Sequence, residues 1–282
     1  MPALITSLRN ESSASSIRIG LRGESQMQWD PTQYLHFAEE RLRPFDELLA
    51  RVDDDAISEI VDLGCGPGSA TLHLFDHWPN ARVHGIDSSN EMIEQANLLT
   101  NDRLHFSLGD ARDLHLERPL DLLVANAMFQ WIPRHIELFP HFIDALRVGG
   151  WFAFQVPAMG ESMSHAGLAA LAESPPWRAQ TGRVAQTMAI ETPERYVRLL
   201  NDLGCRTDCW VTTYLQLLSG EDAVFEWTKG SVLRPYLEAL ELSDVAEFTQ
   251  QYREILRDAY PAEGAITIYP FRRLFVVAQR QN

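Results

Sequence analysis

Apolar and polar positions along the chain fall into short apolar runs separated by segments of helical periodicity. Asp30-Pro31 reads as a helix N-cap followed by proline at the first helical position, and Leu35, Leu42, Phe45 and Leu49 then mark an apolar stripe. Pro44 is expected to kink or split that segment. A strand at Ile60–Leu63 runs into glycines 64, 66 and 68, and a helix from about Ser69 to Trp78 is expected to follow. Further strands read at Ala81–Ile86, Leu104–Leu108, Leu120–Ala125 and Trp151–Val156, with helices at Asn90–Leu98 and His135–Leu146 between them. Gly149-Gly150 reads as the stop of the second of these helices. The run DLLVAN is apolar enough to be buried on both faces, as central parallel strands are. Beyond Pro157 the pattern weakens over 158–190. It returns with Thr192-Pro193 capping a helix to Leu203 that stops at Gly204, then a strand at Arg206–Leu217, a mainly helical stretch over 219–260, and a last strand at Arg272–Ala278. Alternation of this kind predicts an α/β protein with a doubly wound, mostly parallel seven-stranded sheet.

Residues 1–26 do not share the pattern. They are serine-rich with little apolar periodicity, and read as a disordered tail or a misassigned start, with Met27 as the alternative first residue. Arg9, Arg18 and Arg22 fit a transit peptide, but Glu11 and Glu24 count against one. The remainder, 27–282, reads as one domain with insertions at about 158–190 and 219–260. The formal net charge of −15 argues against a nucleic-acid partner, because phosphate contacts need a basic surface. It leaves room for a small anionic substrate held by a local basic pocket. No apolar run approaches the roughly eighteen residues that a membrane span needs, so no membrane partner is expected. Cys65, Cys205 and Cys209 are odd in number and lack zinc spacing, which suggests a reducing, cytoplasmic setting with Cys65 as a small buried filler. His135 and His141 lack supporting carboxylates; no metal is expected there, and surface or capping roles are favoured.

The turn after the first strand carries the chemistry. Glycines there let the backbone take positive φ and approach a ligand closely, while N–H groups opening the next segment face whatever lies over the strand end. A mere tight turn has the same composition. The acidic residues that end successive strands decide more. Asp87 lies 25 positions after Asp62, where a doubly wound domain sets a carboxylate against ribose hydroxyls, although it also suits a helix cap. Asp110 follows the third strand, with Ala111 beside it. An NAD fingerprint wants glycine or alanine three positions after Gly66, where Ser69 stands, and no Lys-Ser or Lys-Thr follows the glycines as in a P-loop.

The combined motifs DLGCGPG, IDSS and GDA resemble the class I S-adenosylmethionine-dependent methyltransferases, whose Rossmann-like fold and cofactor are then expected here. The resemblance implies that Asp62, Gly64, Gly66 and Gly68 belong to the turn beneath the cofactor's methionine part. It implies that Asp87 meets the ribose, that Asp110 and Ala111 meet the adenine, and that Asn126 lines the floor. Met92 packs near the adenine or in the helix core. From about Gln28 onward, WDPTQYLHF, ERLRPFDELLARV, QWIPRHIELFP, WVTTY, VLRPYL and RRLFVVAQR are similar to the trans-aconitate 2-methyltransferase family. Agreement is poorest over Met159–Met188, and Arg272 stands where that family's pattern has proline before Arg273.

The resemblance implies an O-methyltransferase that esterifies one carboxylate of trans-aconitate or a similar small tricarboxylic acid, with the two insertions forming a cap. The fifth and sixth strands are expected to end at the edge that carries the glycine turn. Arg234, in the second insertion, and Arg273, opening the strand that returns from it, suit carboxylates, because a guanidinium fork donates two parallel hydrogen bonds. Arg41 and Arg43 are weaker candidates, since Glu39 and Glu40 can pair with them. Tyr34 and His36 can close over the cofactor. Gln130 and Trp131 are placed to face the transferring methyl group, with a core role open for Trp131. No general base is required, because a carboxylate is already ionised at neutral pH. A monomer is expected. Two alternatives stay open: a malonyl-carrier-protein O-methyltransferase, and a non-catalytic S-adenosylmethionine-binding protein.

Overall fold

Seven strands join in one sheet in the order β3-β2-β1-β4-β5-β7-β6. In the computed structural model, which describes residues 38–113, 119–185 and 190–282, the strands are β1 (Glu59–Leu63), β2 (Arg82–Asp87), β3 (Leu104–Leu108), β4 (Leu120–Asn126), β5 (Leu146–Pro157), β6 (Cys205–Ser219) and β7 (Ile266–Arg280). β1 to β5 pair in parallel, and β7 runs antiparallel between β5 and β6. The chain winds outward from β1 to β3 and then back to β4 on its other side. The carboxyl ends of β1 and β4 therefore flank the reversal point, where doubly wound sheets open a crevice. β4 is buried along its length until Asn126, as the apolar run Leu122–Ala125 requires, with the buried Asp121 carboxylate bonded to Ser58, Glu59 and Arg147. Separate apolar clusters fill the two faces, one around Phe129, Phe139, Phe152 and Tyr196, the other around Phe45, Trp78, Trp151 and Phe275.

Four expectations need correction. The helix after the glycine turn is a 3₁₀ turn at Thr71–His73 followed by one α-helical turn at Leu74–His77. Gly149-Gly150 does not stop a helix. The helix ends at Ala145, and the glycines lie inside β5, where the pairing jumps from Leu120↔Leu146 to Leu122↔Trp151 and Gly149 takes φ +81° at the irregularity. Pro44 does not split its helix, which runs continuously over Ala38–Leu49, with Phe45, Leu48 and Leu49 fully buried to hold it. Arg273 does not open the last strand, which begins at Ile266.

β5 leaves the sheet at the pair Pro157↔Arg273, while β6 and β7 stay paired out to Ser219↔Ile266. The two strands thus project past the carboxyl edge as an arm. Pro270 is tolerated because β7 has a strand on one side only at that point. Along the arm Thr267, Tyr269 and Phe271 are buried on one face while Ile266 and Ile268 stay exposed on the other.

Both insertions sit on the buried face of the arm. The first forms helices Met163–Glu173 and Arg178–Ala185; the second forms Ala223–Lys229, Arg234–Ala239 and Val245–Ala259. They share a single apolar cluster with the arm, including Leu168, Trp177, Phe225, Trp227, Tyr236, Phe248 and Tyr252. Trp177 Nε1 donates to Gln251 Oε1 at 3.2 Å, and Gln180 bonds both Asp244 and the backbone of Glu241, stitching one insertion to the other. Among the described residues no helix is long and apolar enough to cross a membrane.

Candidate active site

The glycine turn is tied to the neighbouring strand before it meets any ligand. The N–H groups of Gly64 and Cys65 both reach the carbonyl of Ile86, at 2.7 and 3.2 Å. Gly64 takes φ +70°, and a Cβ there would lie 2.4 Å from Met128 Cγ, so any other residue would be strained and would have to displace that side chain. Gly66 takes φ +56°, and beyond its chain neighbours no described residue lies within 4 Å of where its Cβ would stand. Its N–H donates to Asp87 Oδ2 at 2.9 Å, while Oδ1 of the same carboxylate accepts from the Ser89 N–H at 2.8 Å. Each oxygen is thus fixed by one backbone donor and keeps a lone pair for a ligand.

Asp62 lies behind the turn, almost fully buried, with Oδ2 accepting from Thr71 Oγ1 at 2.7 Å and Oδ1 without a hydrogen-bond partner among the described residues. Burial, seconded by the charge of Asp87, pushes its carboxyl up to about 7. Burial likewise raises the Cys65 thiol, as suits a filler.

A cavity of about 900 Å³ opens over these strand ends. Of the residues singled out from sequence, Gly64, Asp87, Met92, Asp110, Ala111, Asn126, Gln130, Trp131, Arg234 and Arg273 all line it. Asp62, Gly66 and Gly68 do not; the missing Cβ of Gly68 makes room for Phe106 instead. Tyr34 and His36 lie outside the described residues. Asp110 is gripped by the Arg112 guanidinium, which holds its carboxyl down at about 2. Met92 lines the cavity and is half-buried rather than in the helix core. Trp131 is 45% exposed, so the core alternative is ruled out. Gln130 donates to the carbonyl of Ala127, which leaves its buried Oε1 with no partner among the described residues.

The opposite wall comes from β5, β7 and the cap. Arg273 is 6% exposed, lies 4.8 Å from the Phe271 ring centroid and donates from Nη1 to Gln155 Oε1 at 2.8 Å. Gln155 in turn donates to Asn126 Oδ1. Arg234 is half-exposed at the start of its helix and pairs with Glu238 at 2.7 Å. From the cap helix His165 faces the same cavity, with Nδ1 3.1 Å from Ser164 Oγ, which is itself 2.8 Å from Tyr269 Oη. Burial lowers His165 to about 4, so the ring is neutral at physiological pH.

Sequence reading missed Gln155, His165 and Tyr269. The one available signal was a lone polar residue, Gln155, inside the apolar run WFAFQVP. His135 proves to be buried, not on the surface. Its Nδ1 lies 3.1 Å from the Ile132 carbonyl, which can only accept, so Nε2 accepts from Tyr196 Oη at 2.7 Å. Among the described residues no group of three His, Cys, Asp or Glu could hold a metal ion.

A reversal-point cleft with a glycine turn, strand-end acids and a helical cap defines a class I S-adenosyl-L-methionine-dependent methyltransferase. The residues fit that cofactor: a two-point-anchored carboxylate at Asp87 and, at Gln130, a buried acceptor without a partner among the described residues, both on the cavity wall. Residues 60–150 match the family model described as a methyltransferase domain. The chain is 45% identical over 264 residues to a trans-aconitate 2-methyltransferase of Streptomyces avermitilis, covering 90% of this chain and 97% of the relative. It is 40% identical over 255 residues to one of Mycobacterium tuberculosis, covering 89% and 96%. The chain belongs to the trans-aconitate 2-methyltransferase family. Among solved structures, the YcgJ protein of Bacillus subtilis shares the fold at TM-score 0.60 and 12% identity, covering 86% of this chain and 99% of that one. A phosphoethanolamine N-methyltransferase of Haemonchus contortus, solved with S-adenosyl-L-methionine, shares it at TM-score 0.53 and 15% identity, covering 86% and 53%.

Proposed function

We propose that this enzyme transfers a methyl group to a carboxylate oxygen of trans-aconitate or a similar small tricarboxylic acid, forming a monomethyl ester. The observation that carries the reading is Arg273, a buried guanidinium facing the cleft whose opposite wall is the Asp87-anchored turn. The planar fork of a guanidinium donates two parallel hydrogen bonds, and a carboxylate is the acceptor that matches it. The name carried by relatives that align over nearly their whole length supports the same acceptor.

In this reading Gly64, Asp87, Met92, Asp110, Ala111 and Asn126 hold the cofactor, with Asp62, Gly66 and Gly68 shaping the turn from behind. Arg273 holds the acceptor and Arg234 assists at the exposed end. Gln130 and Trp131 stand at the transfer point. S-adenosyl-L-methionine supplies a methyl group already activated on a sulfonium sulfur. What remains for the chain is alignment and exclusion of water. Arg273 orients a carboxylate that is ionised without help, since its solution pKa lies near about 4. The cap, seated on the arm, supplies one wall of the cavity. The reading extends to a cytoplasmic monomer without nucleic-acid or membrane partners, supported by the net charge of −15 and three free cysteines.

Incubation with methyl-labelled cofactor, a panel of di- and tricarboxylic acids and a malonyl carrier protein tests the reading. Base-labile label on trans-aconitate supports it. Label on the carrier alone would move the acceptor to a malonyl thioester. Tight cofactor binding with no labelled acceptor would leave a non-catalytic binding protein.

A further inference from the structure

Gln155 is fully buried near the carboxyl end of β5, between Phe154 and Val156 of the core. A primary amide in such a place is destabilising unless all its groups are bonded. Its carbonyl accepts from Arg273 on one neighbouring strand, and its amino group donates to Asn126 on the other. Asn126 and Gln155 are register partners across β4 and β5, and Arg273 pairs with Pro157 two residues further along β5. Three side chains thus form one line across three strands, and all three line the cavity.

The direction of this line is dictated by chemistry. A guanidinium has no acceptor, so the amide oxygen of Gln155 must face Arg273 and its NH₂ must face Asn126. Asn126 is then obliged to present its oxygen to Gln155, which leaves its own NH₂ as the group it can offer to the cavity. One fixed charge on β7 therefore sets the polarity of an amide two strands away.

We propose that Gln155 is the positioning residue of this cleft, holding the Arg273 fork toward the acceptor carboxylate and fixing Asn126 as a hydrogen-bond donor on the cofactor side. The inference rests on the acceptor reading above for what Arg273 binds, and on geometry alone for what Gln155 does. Gln155→Glu and Gln155→Met separate its two tasks. Glutamate keeps the bond to Arg273 but neutralises it, and turns Asn126 round to donate inward. Methionine keeps the volume and removes both bonds.

The test uses the full chain loaded with S-adenosylhomocysteine. Calorimetry reads the affinity for trans-aconitate, and side-chain ¹⁵N resonances read Asn126 Nδ2 and Arg273 Nε; kcat and KM for each substrate are measured on the active enzyme. Both variants should shift both resonances and weaken the acid at least tenfold in Kd and KM. Gln155→Glu should be the weaker binder of the acid. Cofactor KM should rise as well, less than that of the acid, because Asn126 loses its fixed donor orientation. A folded Gln155→Met protein with unchanged resonances or unchanged acid affinity overturns the proposal, as does a loss of kcat and both affinities that merely tracks a loss of Tm. If the wild type methylates no acid, the acceptor reading fails, while the resonances of the two variants still decide the role of Gln155.

Discussion

The backbone N–H of Gly66 donates to Asp87 Oδ2 at 2.9 Å, which ties the turn after β1 to the end of β2. This bond holds the turn in the shape that leaves no described residue beside Gly66 beyond its chain neighbours. Removing the carboxylate should therefore hurt the cofactor twice, by losing a ligand group and by loosening the turn. Asp87→Ala should weaken S-adenosylhomocysteine by roughly 10–100-fold, the effect of one or two hydrogen bonds to a charged group. Calorimetry on the purified variant checks this; an unchanged Kd would place the ribose elsewhere.

The two glycines of the turn should fail in different ways. Gly64→Ala puts a Cβ 2.4 Å from Met128 Cγ at a positive φ, so folding itself should suffer. Gly66→Ala meets no described residue beyond its chain neighbours, and should cost only about 1–2 kcal/mol of left-handed backbone strain. Thermal melts of the two variants, each with and without cofactor, separate packing from strain. Gly64→Ala should show the larger loss of Tm.

Arg273 and Arg234 should not be equivalent. The first is buried and bonded to Gln155; the second is half-exposed and shares its charge with Glu238. Arg273→Ala should raise the acceptor KM by about 30-fold or more, in line with the roughly 2–5 kcal/mol lost on truncating one side of a buried charge pair. Arg234→Ala should change it by less than about tenfold, as befits a solvated pair. Arg273→Lys keeps charge without the fork and should fall between them. Steady-state kinetics on the three variants is sufficient, with equal effects contradicting the assignment.

Asp62 gives the protein a pH signature. Its folded pKa is raised from 3.8 to about 7, so the native state keeps this proton more tightly than the unfolded chain does. Below about pH 4 both states are protonated and the burial costs nothing. As pH rises toward 7 the unfolded chain ionises first, and stability falls by up to about 1.4 kcal/mol per pH unit before levelling off. Asp62→Asn keeps an acceptor for Thr71 and removes the ionisation. Denaturant unfolding of the cofactor-free protein should show the asparagine variant with a flatter profile between about pH 4 and 7. Parallel profiles would show that Asp62 does not titrate there.

The turn and its acids were legible in sequence because they are local. Gly64, Asp87 and Asp110 end consecutive strands, and each strand was marked by an apolar run between helical segments. The acceptor wall was not legible because its contacts are distant. Arg273 and Gln155 are 118 positions apart and meet only because β7 inserts antiparallel between β5 and β6. The start of β7 was hidden by Pro270, which ordinarily demotes a strand, and which the one-sided arm accepts. His165 gave no signal either, since its neighbours Ser162 and Ser164 are also what an ordinary helix start would carry.

The most direct test of the account is the mass of the product formed from trans-aconitate and S-adenosyl-L-methionine by the wild-type protein, followed by mild alkaline hydrolysis. The expected product is an acid carrying one added methyl group, released as methanol on hydrolysis, with S-adenosylhomocysteine formed in equal amount. A cofactor-saturated protein that leaves trans-aconitate and every related di- or tricarboxylic acid unmodified would contradict it.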